Sequence, residues 1–146
     1  MNLKILNSKD PSLRRICSKV ENIKEHVPFA ISLYFTMKAK KAVGLAANQV
    51  GRSIRIISLS IPDYEGIMFN PIILERSEEV FEFLEGCLSI EGTNINTKSR
   101  SKSIKVQWQD KYGSYNEKEF MDISAVAIQH EIDHLDSKLM TDYRDT

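Results

Sequence analysis

The segment that determines the fold of this chain is Gln129-His130-Glu131-Ile132-Asp133-His134-Leu135. Its two histidines are four residues apart, so on a helix they lie on one face and can bind a single metal ion. Glu131 lies about 100° around the helix axis from His130, within reach of a water on that ion but not as a ligand. In such sites the histidines hold the metal and the carboxylate moves protons for the attacking water.

A helix from about residue 123 to residue 137 is predicted to carry this segment. The residues that form its apolar stripe are Ile128, Ile132, Leu135 and Leu139, and the opposite face carries the histidines after Ile123, Val126 and Ala127. The alternative is a pair of surface histidines on an amphipathic helix. Because the chain has only 3 histidines, two at this spacing around a glutamate favour the metal site.

The third metal ligand is not in the same segment. A catalytic site normally has three protein ligands and one open position. Downstream of His134 the candidates are all carboxylates: Asp136, Asp142 and Asp145. Upstream, the segment Glu85-Gly86-Cys87-Leu88-Ser89 offers the Cys87 thiolate, a soft ligand that suits iron or zinc. A lone cysteine is more often a buried apolar thiol, so spacing alone leaves this ligand open.

A cluster of small residues precedes a glutamine at Ala42-Val43-Gly44-Leu45-Ala46-Ala47-Asn48-Gln49. Small residues let a backbone approach a ligand closely, and the Gln49 amide can donate a hydrogen bond to an oxyanion. The alternative is a tightly packed turn after a helix, which these residues alone favour.

Composition limits the class of protein. The 146 residues, 42% of them hydrophobic, predict a single domain over residues 1–146. Twenty Lys and Arg balance twenty Asp and Glu, which argues against a mainly electrostatic nucleic-acid binder. No apolar run in the sequence is long enough to span a membrane, and no signal peptide is expected. Cys17 and Cys87 are expected to be free thiols in a reducing compartment, so the predicted location is cytoplasmic.

Elsewhere, helix and strand patterns are segregated. A helix is predicted to have Pro28 in its first turn and to end near Lys41. Strands are predicted at 54–59, 67–69, 72–74 and 104–108, the last with a partner strand that runs through Phe120. The predicted fold class is therefore α+β with a largely antiparallel sheet.

Together the three segments resemble the peptide deformylase family, whose motifs are Gly-x-Gly-x-Ala-Ala-x-Gln, Glu-Gly-Cys-Leu-Ser and Gln-His-Glu-x-Asp-His-Leu. The second and third motifs are intact here, and the first differs in that Ala42 replaces its leading glycine. An alanine there costs about 1 kcal/mol or more if the backbone has positive φ. Similarity at residues 10–14 and at Asn70-Pro71 extends the resemblance over nearly the whole chain.

The resemblance implies antiparallel β-sheets around a central metal-binding helix. It also implies hydrolytic removal of formyl from the initiator methionine of nascent polypeptides. The implied ligands of one divalent metal are Cys87, His130 and His134. In the family this metal is usually Fe(II), with Ni(II), Co(II) or Zn(II) as substitutes. Metal-bound hydroxide would attack the formyl carbon with Glu131 as general base and acid, while the Leu88 N–H and the Gln49 amide stabilise the oxyanion.

The substrate is expected to lie extended and to pair its backbone with the segments around Gly44 and from Glu85 to Ser89, with Glu85 and Gly86 among the contacts. Its methionine side chain needs an apolar slot, for which the candidates are Val43, Ile123, Val126 and Ala127. The alternative role for these four residues is ordinary core packing.

Some features depart from the family. Many relatives have a proline and then an arginine near the substrate after Ser89-Ile90, whereas residues 91–94 here are Glu-Gly-Thr-Asn. The basic run at Lys98, Arg100 and Lys102 is interpreted as a solvated loop. Many bacterial members carry a further carboxy-terminal helix associated with ribosome docking. With its end at Thr146, the chain is interpreted as a compact, monomeric member for which that docking is not expected.

The expected partners are formylmethionyl peptides and nascent chains, without membrane or direct nucleic-acid contact. Three other functions use parts of the same pattern. A metallopeptidase would use the same helix with either an internal peptide as substrate or a downstream third ligand, and Cys87 argues against it. A non-catalytic metal-binding module would be expected to have lost Glu131 or Gln49. A thiol redox protein would need a second cysteine near Cys87.

Overall fold

The computed structural model describes residues 2–143. Its strands are β1 (Gly44–Ala46), β2 (Ile56–Ile61), β3 (Tyr64–Arg76), β4 (Phe83–Cys87), β5 (Ile90–Thr97), β6 (Ser103–Gln109) and β7 (Tyr115–Met121). Its α-helices are α1 (Ile23–Ala39) and α2 (Asp122–Leu135). Short 3₁₀ helices lie at Pro11–Arg14, Ala47–Val50 and Met140–Tyr143. None of the helices in residues 2–143 is long and apolar enough to cross a membrane.

Two antiparallel sheets form the β part of the fold. The larger has the strand order β1-β2-β3-β6-β7, and the smaller pairs β4 with β5. In β6 the predicted alternation is confirmed, because Ile104, Val106 and Trp108 are buried while the residues between them are partly exposed. The predicted α+β class with antiparallel sheets is also confirmed.

Helix α2 contacts both sheets. Its apolar residues Ile128, Ile132 and Leu135 join a core cluster with side chains of β2, β6 and β7, as the predicted stripe requires. On the smaller sheet, Glu85 and Cys87 reach the two histidines of α2. The prediction of one buried and one open face was incomplete, since every side chain from Ser124 to Leu135 is buried. The helix ends at Leu135, two residues before predicted, and Ser137 has a left-handed φ of 65°.

Helix α1 packs on a second core cluster, which includes Leu33, Met37, Leu45 and Phe69. The placement of Pro28 in its first turn was wrong, because the helix begins at Ile23 and the proline lies inside it. A proline there removes one helix hydrogen bond. The first turns are nevertheless helical because Ile23 packs in the same cluster, and burial of an apolar face outweighs local propensity.

Strand β3 is one strand of 13 residues rather than two short pieces. Its pairing with β6 shifts register between Phe69 and Ile72, where Asn70 has a φ of 51°. The Asn70 side chain accepts a hydrogen bond from the Val20 N–H at 2.8 Å and donates one to the Val20 carbonyl at 2.9 Å. The irregularity therefore fixes the segment before α1 to the centre of the sheet.

Replacing Asn70 with alanine is expected to lower the free energy of unfolding by at least about 2 kcal/mol. The change leaves two buried backbone groups of Val20 without partners and places an alanine at positive φ. Urea denaturation measures the loss. The control is Asn96→Ala, which removes an exposed hydrogen bond to Glu82 and should change stability by less than about 0.5 kcal/mol. Equal effects of the two substitutions would contradict the anchoring role.

Candidate metal centre

The two histidines of α2 and the cysteine at the end of β4 meet at one point. The Cys87 Sγ is 3.4 Å from the His134 Nε2, which is 3.3 Å from the His130 Nε2. The donor atoms of Cys87, His130 and His134 all lie within 4.8 Å of one another. The structure thus brings together the two predicted histidines and the cysteine that spacing alone left open.

These separations fit a metal ion. A tetrahedral ion with metal–nitrogen bonds of about 2.0–2.1 Å and a metal–sulfur bond of about 2.3 Å keeps two nitrogens about 3.4 Å apart and a nitrogen and sulfur about 3.6 Å apart. A thiolate with two imidazoles is a donor set that zinc and divalent iron accept. The centre thus offers three donor atoms that could hold one ion, and a catalytic site needs three such protein ligands and one open position.

The surroundings of the ligands favour a cation. Burial alone would lower the pKa of His130, but the negative charge of Glu131, together with Cys87 and Glu85, outweighs it and raises that pKa to about 10. Burial and the neighbouring His130 instead hold the pKa of His134 well below its usual value. One positive charge is therefore stabilised at this point, and a metal ion can take that place.

Glu85 orients His130. Its Oε1 lies 2.7 Å from the His130 Nδ1, which leaves the Nε2 of that ring facing the other ligands. Burial opposes ionisation of Glu85, but hydrogen bonds from His130 and Arg100 prevail and lower its pKa to about 2. The carboxylate is thus engaged behind the metal centre, and the backbone of Glu85 is the part available for the predicted substrate contact.

The interpretation of the 98–102 run as solvated was wrong for Arg100, whose side chain is 4% exposed. Arg100 donates to both Glu85 oxygens, at 2.8 and 2.9 Å, and also to Asp133. The Tyr143 ring lies under its guanidinium at 4.7 Å, and the Tyr143 hydroxyl donates to Asp133 at 2.8 Å. The sequence gives one indication of this network. Glu85 and Asp133 lie in the motifs of the cysteine and the histidines, and a carboxylate buried there needs a positively charged partner.

Glu131 lies at the inner end of an open cleft. It is 4% exposed, and its Oε1 is buried with no hydrogen-bond partner among the described residues. Burial raises its pKa to about 7, against the effect of His130. A Cβ added at Gly44 of β1 would lie 2.6 Å from the Glu131 Oε2, so any side chain at this position would collide with the carboxylate. Such a group can accept and return a proton near neutral pH.

The Gln49 amide is held in a defined orientation. Its Oε1 accepts from the Ala46 N–H at 2.9 Å, and its Nε2 lies 3.1 Å from the Ser89 Oγ and 3.7 Å from the Cys87 Sγ. The N–H donors of Gln49 therefore face the metal centre. Sequence reasoning missed Ser89 as the partner of this amide, although the residue belongs to the cysteine motif.

The cleft in front of the centre has a volume of about 480 Å³. Except for His134, which lies behind it, all the predicted site residues line it: Val43, Gly44, Gln49, Glu85, Gly86, Cys87, Leu88, Ile123, Val126, Ala127, His130 and Glu131. At the outer end, Lys41 has a φ of 55° but Ala42 does not have positive φ. The substitution of the motif's leading glycine by Ala42 is therefore accommodated without strain.

The comparisons with known proteins point to one family, both by sequence and by fold. The profile of the family described as polypeptide deformylase matches residues 2–146. A peptide deformylase of Dictyoglomus thermophilum is 40% identical over 134 residues, which are 91% of this chain and 86% of that protein. The crystal structure of peptide deformylase from Thermotoga maritima superposes with a TM-score of 0.95 at 34% identity, over 100% of this chain and 99% of that one. A Met-Ala-Ser-bound class I type b peptide deformylase of Acinetobacter baumannii superposes with a TM-score of 0.91 at 29% identity, over 98% of both chains.

Cobalt titration is expected to show one ion per chain, with an absorption band from thiolate-to-metal charge transfer. The Cys87→Ser variant should lose this band and bind the ion much more weakly, because a hydroxyl is a poor ligand for a metal that prefers soft donors. The matched control is Cys17→Ser, since Cys17 is a buried free thiol in the main core cluster. Loss of the band in the Cys17 variant, or its persistence in the Cys87 variant, would contradict this assignment of the ligands.

Proposed function

The chain belongs to the peptide deformylase family, whose members are hydrolases, and we propose that it removes the N-formyl group from the initiator methionine of nascent polypeptides. The observation that carries the proposal is one of geometry. A Cys/His/His donor set and an unpartnered buried carboxylate meet at the inner end of a cleft with an apolar lining. This arrangement suits hydrolysis of an amide whose acyl group is small enough to reach the closed end.

One divalent ion would be held by Cys87, His130 and His134, with Fe(II) as the proposed native metal and Ni(II), Co(II) or Zn(II) as substitutes. The thiolate and imidazole donors support this choice over magnesium or calcium, which prefer oxygen ligands. When bound, the ion acts as a Lewis acid that polarises a carbonyl oxygen and lowers the pKa of water.

Glu131 is proposed to move the proton. It takes a proton from the attacking water and delivers it to the departing amine of methionine. The pKa of about 7 and the lack of a competing partner for its Oε1 support this role. Gly44 keeps the backbone of β1 close to the carboxylate, so that a substrate beside β1 would lie within its reach.

The Gln49 amide and the backbone N–H of Leu88 are proposed to stabilise the oxyanion that forms on the formyl oxygen. Support comes from the fixed orientation of the amide, whose oxygen is held by Ala46, and from the position of Leu88 beside Cys87 on the cleft wall. A preorganised donor of this kind is worth about 2.7–4 kcal/mol in the transition state.

The substrate is proposed to bind as an extended strand between β1 and β4. Within the described structure β1 pairs only with β2, and β4 only with β5, so each strand leaves an edge free beside the cleft. The methionine side chain would occupy the slot between Val43 and the start of α2, lined by Ile123, Val126 and Ala127. The Met-Ala-Ser peptide bound by the Acinetobacter protein is of the size and class expected for a product here.

The proposal includes a single catalytic domain that acts as a monomer in the cytoplasm, where nascent formylated chains are made. Both sheets, α2 and the 3₁₀ helix that carries Gln49 contribute residues to the cleft. All the groups assigned to the reaction come from one chain, which supports activity without a second copy.

Replacing Glu131 with alanine is expected to lower kcat for formyl-Met-Ala-Ser by at least about a hundredfold, because no other side chain among residues 2–143 is placed to carry the proton. Formate release from protein loaded anaerobically with Fe(II) or Ni(II) measures the rate. Metal content should stay at one ion per chain.

The control is Glu119→Ala, which makes the same change at an exposed position of β7 and should leave turnover unchanged. Gly44→Ala tests the same role from the backbone side, since its Cβ would displace the Glu131 carboxylate. Full activity of Glu131→Ala would contradict the assigned role, and absence of formate from the metal-loaded wild type would overturn the proposed function.

The Val126→Trp substitution is expected to raise KM for formyl-methionine peptides by at least about tenfold, because the larger side chain fills the proposed slot. The matched control is Val80→Trp, at a valine that is 52% exposed outside the cleft. Circular dichroism checks that both variants are folded. An unchanged KM in a folded Val126 variant would place the methionine slot elsewhere.

A further inference from the structure

Two lysines lie at the outer end of the cleft. Lys40 and Lys41 are both exposed, and both belong to the cleft lining. Neither forms an ion pair within residues 2–143, whereas Lys38 is occupied by Glu65 at 3.2 Å. Two cations with no counter-ion in the described structure are thus available to a bound molecule.

The shape of the cleft fixes which end of a peptide meets these lysines. Gly44 touches Glu131 at the reacting end, and beyond it Leu45 and Ala46 are fully buried, so the cleft is closed in that direction. From Gly44 the lining extends the other way, toward lower residue numbers, through Val43 to Lys40 at the outer end. A peptide paired with β1 advances about 3.3 Å per residue, so its third and fourth residues pass beyond Val43 toward the turn that carries Lys40 and Lys41 at the outer end of the lining.

The other charges of the cleft leave this end positive. Glu85 is bound to Arg100 and His130, and Glu131 is buried at the inner end. Glu91, on the opposite wall, is the exposed carboxylate of the lining. Two lysines against the one carboxylate of Glu91 leave the outer end with net positive charge, which attracts negative charge over several ångströms.

We propose that Lys40 and Lys41 make this enzyme select substrates with acidic side chains at the third and fourth residues after the formyl group, an inference that rests on the proposed function. Each lysine contributes the modest energy of an exposed ion pair. Together they correspond to a preference of about three- to tenfold in kcat/KM for two acidic residues over two basic ones.

Three peptides test the preference: formyl-Met-Ala-Glu-Glu, formyl-Met-Ala-Gln-Gln and formyl-Met-Ala-Lys-Lys. Formate release by the metal-loaded enzyme at pH 7 and low ionic strength is expected to give kcat/KM values that decrease in that order. The ratio between the first and third peptides should shrink in salt of about 0.5 M, because exposed charges are screened. The neutral peptide measures basal activity.

Two variants should move the ratio in opposite directions. The double substitution Lys40→Gln and Lys41→Gln removes the two positive charges at the outer end of the cleft and should abolish the preference for acidic peptides. Glu91→Gln removes the negative charge on the opposite wall and should increase that preference. The matched control is Lys24→Gln, which makes the same charge change on α1 about 24 Å along the helix axis from Lys40. Hydrolysis of the neutral peptide should be unchanged in Lys24→Gln, and in each variant it is the reference rate against which the two charged peptides are compared.

The outcomes separate the two proposals. Equal kcat/KM for the three peptides, or a preference that survives in the double variant, would overturn the selectivity and leave the deformylase function in place. Absence of formate from all three peptides, with metal bound, would overturn the proposed function and this inference with it.

Discussion

The contact of Arg100 with Glu85 and Asp133 is the interaction on which the rest of the site depends. A buried ion without partners costs several kcal/mol. Here three buried charged side chains lie together behind the metal centre and pair with one another. The fork of the guanidinium satisfies both Glu85 oxygens, which leaves that carboxylate ionised and directed at His130. Because Asp133 belongs to α2 and Glu85 to β4, the same cation holds the smaller sheet against the helix that bears the histidines.

A second constraint is how tightly α2 is enclosed. Its apolar side meets the larger sheet, and its histidine side meets the smaller sheet and the metal centre. A helix buried on all sides has little freedom to rotate or shift, since protein cores are close-packed. The His130 and His134 rings are therefore positioned by core packing as well as by their own hydrogen bonds, which is the type of support that a precise metal site needs.

What the sequence predicts well is local. The spacing of His130 and His134 and the alternation in β6 each follow from the geometry of one element, and the structure contains both. The features that sequence reasoning missed depend on residues far apart in the chain. The burial of Arg100 follows from carboxylates 15 and 33 residues away, and in sequence that arginine belongs to an ordinary basic run. The shift at Asn70 likewise depends on Val20, 50 residues earlier.

The order of the site residues along the chain has a consequence for its synthesis. Cys87 and His134 are 47 residues apart, and Gln49 is 38 residues before Cys87. Contacts of such separation form only after the intervening loops have closed, and a polypeptide leaves the ribosome from its amino end. A growing chain therefore holds Gln49 and Cys87 for a long interval before α2 exists. Throughout that interval the Cys87 thiol is present without the imidazole pair, so the three donor atoms can meet around one ion only after α2 has been made.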